Sequence, residues 1–410
     1  MTIEKATEPR SWMPAAFTLV IWVTYDFTRF NNIAVWTMGI YFLILGWPYR
    51  RFDLRKDYLY LLPVLLLTCY IVGMLWASSE RMAWQQVEKR LPLLVFPFMF
   101  FVIRDTLSPY QLRMILIAFV MACIMIILFC LGHAVANIIE HQSLRVVELR
   151  ERQYFYFSYL PLTQPAAIDP IYLSMYINFS IVVVLETMKR LKWKVPLIVF
   201  LIVANVLVAS KIGLGVMMLL LFVSVLIRLR NRLYALIVCA IIALGALLFL
   251  QRATFLRDRL FVETKFDFHW DYSGAWNSIT QRLAIWTCAA DALKEKFPLG
   301  YGTADGQLAL HKAYVEHGYI RGFEDNYNAH NEYLYAALDL GIFGIVALLV
   351  LLAVPLVRSW STGNSVFAYF IVICAAYFLV EVVLSRRAGV NFFGFMFSVL
   401  ATLKRPSKKD

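Results

Sequence analysis

The sequence predicts an all-α polytopic integral membrane protein with about 12 transmembrane helices and one large helical external loop. Three observations predict it. Of 410 residues, 61% are hydrophobic and only 16% charged, with a mean hydropathy of +0.67, whereas a soluble domain is typically ~25% charged. Apolar runs approaching or reaching the roughly 17–25 residues that cross the hydrocarbon core recur along the whole chain. Connections are short except for two external ones, 136–169 and 252–331.

Candidate spans lie near 12–29, 32–48, 57–77, 91–104, 112–135, 170–188, 195–210, 213–229, 233–251, 332–357, 365–384 and 388–403. Residues 1–251 thus carry helices 1–9, residues 252–331 form the loop, and residues 332–410 carry helices 10–12 and a basic tail. Met1–Arg10 is polar and the first apolar run lacks a cleavage-like exit, so it reads as a retained span. With the N-terminus inside, Arg50, Arg51, Arg55 and Lys56, then Lys189 to Lys194, then Arg228, Arg230 and Arg232, and finally the C-terminal lysines and Arg405 all face the cytoplasm. This is the positive-inside pattern, and both termini are expected on that side. The net charge of +12 (39 basic less 27 acidic) follows largely from topology and needs no nucleic acid partner. Cys69, Cys123, Cys130, Cys239 and Cys374 fall in apolar spans, and Cys288 is alone in the large loop, so no disulfide within that loop is expected.

The large loop has helical periodicity. Ser278 and Gln281 have the spacing of a capping box, and Ile279, Leu283, Trp286 and Leu293 mark an apolar stripe on an expected helix 279–295. A Pro298-Leu299-Gly300-Tyr301-Gly302 turn stops it, and a second helix is expected over 304–317, ended by Gly318. In the smaller loop, five aromatic residues fall within the six positions 154–159. They suit an interfacial aromatic belt or the rim of a lipid-substrate site. The halves of the chain do not repeat one another, which counts against a two-fold transporter.

Four polar features gather on the external face. His330, in Asn328-Ala329-His330-Asn331-Glu332, can exchange a proton near neutral pH; the plain alternative is a polar helix cap. Arg282, near the start of the amphipathic helix, has the planar fork that suits a phosphate, or it lies over the apolar stripe. Lys211, in the hairpin Ala-Ser-Lys-Ile-Gly-Leu-Gly at 209–215, is a cation among apolar spans. Further external arginines, Arg29, Arg81, Arg90, Arg145, Arg150, Arg152, Arg386 and Arg387, run against the inward bias of positive charge. An anionic substrate would account for them. His311 and His317 are six apart, and Asp267 and Asp271 form no larger cluster, so no catalytic metal and no cofactor are expected.

In order along the chain, the basic hairpin, the Arg282 helix with its Pro-Leu-Gly-x-Gly turn, and the His-Asn helix 328–344 resemble the O-antigen ligase and polymerase superfamily. Within it the resemblance is closer to O-antigen ligase. It implies a GT-C-like fold in the inner membrane of a Gram-negative bacterium, with a periplasmic site. It also implies metal-independent, inverting transfer of an O-antigen from undecaprenyl pyrophosphate to a sugar of lipid A-core oligosaccharide. His330 would be the base and Arg282 the second catalytic residue, with Lys211, Arg29, Arg81, Arg152, Asn328 and Asn331 binding substrate. Relatives often carry Ser-Arg where this chain has Ser210-Lys211, which keeps the charge and loses the fork. Partners expected are the two lipid-linked glycans and membrane lipid, with the chain acting as a monomer. The competing readings are an O-antigen polymerase and, from another class, a lipid-linked oligosaccharide flippase or exporter.

Overall fold

In hydrocarbon each backbone N–H and C=O has to be paired within its own segment, so the apolar runs of this chain form helices. The computed structural model describes residues 9–24, 28–49, 53–146, 154–188, 192–228, 245 and 278–403. In order these form α1 (Pro9–Val23), α2 (Thr28–Gly46), α3 (Leu54–Gly73), α4 (Glu80–Arg90), α5 (Pro92–Ile103), α6 (Pro109–His141), α7 (Tyr159–Thr163), α8 (Pro170–Thr187), α9 (Lys194–Val208) and α10 (Lys211–Arg228). After them come α11 (Ser278–Lys296), α12 (Asp305–Glu316), α13 (Ile320–Glu324), α14 (Glu332–Thr362), α15 (Ser365–Phe378) and α16 (Arg387–Thr402). Every expected span but one coincides with a described helix. The exception, 233–251, lies outside the described residues apart from position 245. Asp57–Trp76, Pro109–His141, Pro170–Thr187 and Glu332–Thr362 are long and apolar enough to cross a bilayer, and shorter apolar helices accompany them. Large apolar side chains such as Leu128, Val203, Leu219 and Val346 are exposed along these helices, as lipid contact requires. The chain is a helical membrane protein.

Two details depart from the expected pattern. The connection after α3 is itself helical: Ser79 caps α4 by accepting from Met82 N (3.4 Å), and Ala83, Val87 and Arg90 are buried along one face. The smaller loop contains an antiparallel pair, Arg145–Val146 (β1) with Tyr154–Phe155 (β2), the only strands among the described residues. The rest of that loop, 147–153, lies outside them and includes Arg150 and Arg152.

The chain divides into two units, each drawn from separate stretches: Met1–Met38 with Arg113–Lys265, and Gly39–Leu112 with Phe266–Asp410. In the first, α8 forms the core. Asp169 caps it through Ile171 N (2.7 Å), and Trp22 of α1 meets Phe119 and Tyr176 edge-on at 5.1 and 5.2 Å. Three helices are tied by amides. Asn205 of α9 donates to Asn178 Oδ1 of α8 (3.1 Å), and Asn178 donates to the Gly213 carbonyl of α10 (2.9 Å). A Cβ on Gly213 would collide with Ser174 Oγ, so α8 and α10 approach closely there. Gly215 faces open space.

In the second unit α14 packs between α3 and α15, and α16 lies against α5 through edge-on phenylalanines, Phe395 meeting Phe96 and Phe100 at 5.3 and 5.4 Å. Arg104 holds Asp57 through two nitrogens at 2.9 and 3.0 Å, a bidentate buried pair. Helices α11 and α12 build a small core of their own against α14: Ala284, Ile285, Cys288, Ala289 and Ala292 meet Leu310, Ala313, Tyr314 and Leu338, all almost fully buried. The apolar stripe expected on α11 is therefore displaced. Leu283, Trp286 and Leu293 flank the contact, because the smaller Ala and Cys side chains let the helices approach more closely.

Helix α14 is broken at Gly341 (φ 60°, ψ −138°). The turn after α11 fills the break: Ile342 N donates to Pro298 O, Tyr301 N to Leu338 O and Gly302 N to Asp339 O, each at 2.8 Å. Thr303 then binds the end of α3, its N donating to Gly73 O (3.1 Å) and its hydroxyl to Tyr70 O (2.6 Å). Irregular backbone at the edge of a membrane helix is tolerated when protein supplies the missing partners. The 21 residues after the break (341 to 362) measure about 31 Å, one hydrocarbon thickness. Residues 332–340 precede the break and carry the N-terminus of α14. The helical spacing of Leu334, Ala337 and Gly341 therefore makes no continuous face through Gly341, whose backbone is not helical.

Gly341→Ala should lower the detergent-solubilised protein's stability by on the order of 1–3 kcal/mol from backbone strain, and by more if the Cβ, 1.9 Å from Pro298 O, cannot be relieved. Gly215→Ala should be neutral or stabilising by up to ~1 kcal/mol, since only helix propensity changes there. Thermal unfolding of both variants measures the contrast.

Candidate active site

Residues just before α14 take their shape from local capping. Asn331 is the N-cap, accepting from Leu334 N at 3.0 Å, and Asn328 Oδ1 accepts from His330 N at 2.9 Å. Between them His330 adopts φ +42°, an uncommon conformation for a non-glycine residue. Ala329, fully buried, accepts from Trp286 Nε1 of α11 at 3.1 Å. Helix α11 thus grips the chain one residue before the histidine.

The imidazole is held from the other side by the segment after α15. Nδ1 of His330 lies 3.3 Å from Glu381 Oε2. The Glu381 side chain is 8% exposed and that of His330 24%, so the carboxylate is covered and part of the ring remains open. Glu381 Oε1 accepts from Val382 N (3.1 Å). One residue earlier, Val380 O accepts from Arg282 Nε (3.2 Å). Three residues later, Leu384 N donates to Glu332 Oε2 (2.7 Å). Residues 380–384 therefore fasten Arg282, His330 and Glu332 into one assembly. Burial by itself would raise the Glu381 carboxyl, but the His330 hydrogen bond and charge, the Arg282 charge and the Val382 N–H outweigh it and hold it below the ordinary glutamate value.

A second polar group stands in the same unit. The guanidinium of Arg90, at the end of α4, is fully buried 3.8 Å over the Tyr70 ring and 5.7 Å from the Tyr335 ring. Its Nη1 donates to both oxygens of Gln86 at 2.9 Å. Burial opposes its charge, yet Tyr70, Tyr335, Glu332 and Asp339 together raise its pKa. Asp339 in turn accepts from Gly306 N (3.1 Å), which ties α14 to the start of α12. Next to Arg90, exposed Lys89 is held below the ordinary lysine value, first by partial burial and then by the Arg90 and Arg386 charges. Lys89 and Arg386 are exposed cations that feel one another, a grouping that an anion would relieve.

Of the residues singled out in the sequence, His330 and Arg282 come together. Asn328 and Asn331 sit beside them, where their carboxamide oxygens cap backbone N–H groups; the ring partner is Glu381. Arg81 is exposed in the first turn of α4, at the opposite end from Arg90. Lys211 opens α10 in the first unit. Arg29 lies in α2, and Arg152 lies outside the described residues. Arg90, expected among the external arginines, is an interior residue. Glu381 went unremarked although it stands inside the apolar stretch 365–384, where an ionisable residue is a functional candidate by default. Among the described residues no His, Cys, Asp and Glu gather into a metal-binding group.

Residues 196–349 match the family model described as O-antigen ligase. Comparison with curated proteins returns no match. The matched stretch contains Lys211, Arg282, Asn328, His330 and Asn331, whereas Arg29, Arg81, Arg90, Arg152 and Glu381 lie outside it.

Arg90→Met should destabilise the fold by on the order of 1–3 kcal/mol, because it removes the guanidinium from the Tyr70 ring and leaves the part-buried Gln86 oxygens without that donor. Arg81→Ala, at an exposed position, should stay within about 0.5 kcal/mol. Thermal unfolding in detergent compares the two.

Proposed function

We propose that the chain, whose residues 196–349 match the O-antigen ligase family model, is an O-antigen ligase. It transfers O-antigen from undecaprenyl pyrophosphate to a sugar hydroxyl of lipid A-core oligosaccharide at the periplasmic face of the inner membrane. One observation carries the reading: the 380–382 segment joins an arginine, Arg282, to a partly open histidine, His330, just ahead of α14.

The chemistry follows from those two groups. The acceptor hydroxyl oxygen attacks the anomeric carbon while Nε2 of His330 takes its proton. The carbon–oxygen bond to pyrophosphate breaks, and its electron pair leaves on the phosphate oxygen. Positioned proton removal of this kind contributes roughly 10²–10⁴ in rate. Arg282 neutralises charge as it develops on the leaving group, with Lys89 and Arg386 adding positive potential. Attack opposite the leaving group inverts the anomeric centre, and the lipid pyrophosphate supplies the activation, so neither nucleotide nor divalent ion is required. Lys211, Arg29, Arg81 and Arg152 are proposed to bind substrate on sequence grounds. The 252–331 region is read as the catalytic loop, in a GT-C-like chain that works as a monomer with both termini cytoplasmic.

The reading is tested by reconstituting the purified chain with both lipid substrates in EDTA. Glycan appearing on lipid A-core is the expected result. Elongation of the lipid-linked glycan would instead identify a polymerase, and translocation without transfer a flippase. His330→Ala should lower transfer by about 10²-fold or more while inserting normally, and unimpaired transfer would end its role as base. Arg282→Lys should also lose most activity, since a lysine keeps the charge without the planar fork; full activity would leave Arg282 a packing role.

A further inference from the structure

We propose that Glu381 is the positioning residue of His330, holding its proton on Nδ1 so that Nε2 faces the acceptor hydroxyl, and balancing the imidazolium formed on proton transfer. The proposal rests on His330 being the base. It stands on geometry that neither the sequence motifs nor the family match covers.

Nδ1 is 3.3 Å from Glu381 Oε2, at the long end for a hydrogen bond, as is common in a site without substrate. An ionised carboxylate can only accept. A neutral His330 in this contact must therefore donate from Nδ1, which leaves the Nε2 lone pair for a substrate proton. Glu381 cannot easily turn away, because its other oxygen is taken by Val382 N and its side chain is almost completely covered. The charged and titratable groups facing the pair are Arg282 from α11, Glu332 at the start of α14, and Tyr327, whose ring centroid is 5.9 Å from that of His330. Arg282 carries the same sign as an imidazolium, and Glu332 is directed toward Leu384 N and Arg90. Glu381 is thus the carboxylate that contacts the ring.

During transfer the hydroxyl proton passes to Nε2 and no proton leaves Nδ1. The imidazolium then lies against Glu381, whose negative charge stabilises it. Removing the negative charge makes the imidazolium harder to form at every pH. The acidic limb of the kcat/KM profile must then move to lower pH, while kcat falls because the neutral ring is free to carry its proton on Nε2.

The test uses the full chain in nanodiscs with an undecaprenyl-pyrophosphate-linked glycan and lipid A-core. Glu381→Gln should lower kcat by about 10²-fold and shift the acidic limb to lower pH. Glu381→Asp, which keeps the charge, should hold the limb near its wild-type position. Superimposable profiles for wild type and Glu381→Gln would overturn the proposal. Independently of activity, ¹⁵N-histidine spectra with His330 assigned by difference against His330→Gln should show neutral wild-type His330 as the Nδ1–H tautomer. An Nε2–H tautomer would also overturn it. An active His330→Ala removes the base assignment itself, whereas an inactive one beside an unshifted Glu381→Gln profile removes only this proposal.

Discussion

The backbone of α14 cannot close its own hydrogen-bond ladder at Gly341, and the Pro298–Gly302 turn closes it. Three main-chain hydrogen bonds, to Pro298 O, Leu338 O and Asp339 O, join a membrane helix to the polar segment before it. Such bonds contribute only ~1 kcal/mol each in net terms, but leaving the groups unpaired beside lipid costs considerably more. The turn is consequently fixed, and with it the end of α11. Once α11 is fixed, Trp286 reaches Ala329 O and Arg282 reaches Val380 O. The placement of the histidine thus descends from a fault in a helix of 31 residues.

Much of this was visible in the chain itself. Hydropathy and period located the helices because the membrane leaves the backbone few alternatives, and the expected 279–295 and 304–317 helices fall within a residue or so of α11 and α12. His330 and Arg282 were legible as residue types in helical context. What sequence could not supply was their common partner. Glu381 lies 51 positions after His330, and nothing in local pattern pairs them. The buried stripe of α11 was misread because apolar size suggested leucine and tryptophan, while close helix packing favoured alanine and cysteine. Arg90 was misread for a related reason. An arginine beside a lysine in a polar stretch looks solvated, and only the aromatic faces of Tyr70 and Tyr335, distant in sequence, make its burial tolerable.

Stability and chemistry are divided between two arginines. Arg90 is enclosed and faces groups that are themselves buried, so its charge serves the fold. Arg282 spends one N–H on a carbonyl at the same segment that carries Glu381. That bond orients the guanidinium, whose planar fork suits a phosphate. Lys89 and Arg386 add positive potential in the same unit.

In the first unit, the amide chain Asn205–Asn178–Gly213 does something apolar packing cannot. Helices bathed in lipid gain little from the hydrophobic effect between themselves and could slide along one another by a turn, ~5.4 Å, with similar contacts before and after. A slide here would strand two carboxamides in hydrocarbon. The network therefore acts as a key in a slot, setting the depth of α10 in the membrane and so the depth of Lys211, two residues before Gly213. Two asparagines thereby hold the start of α10 in one register against α8 and α9.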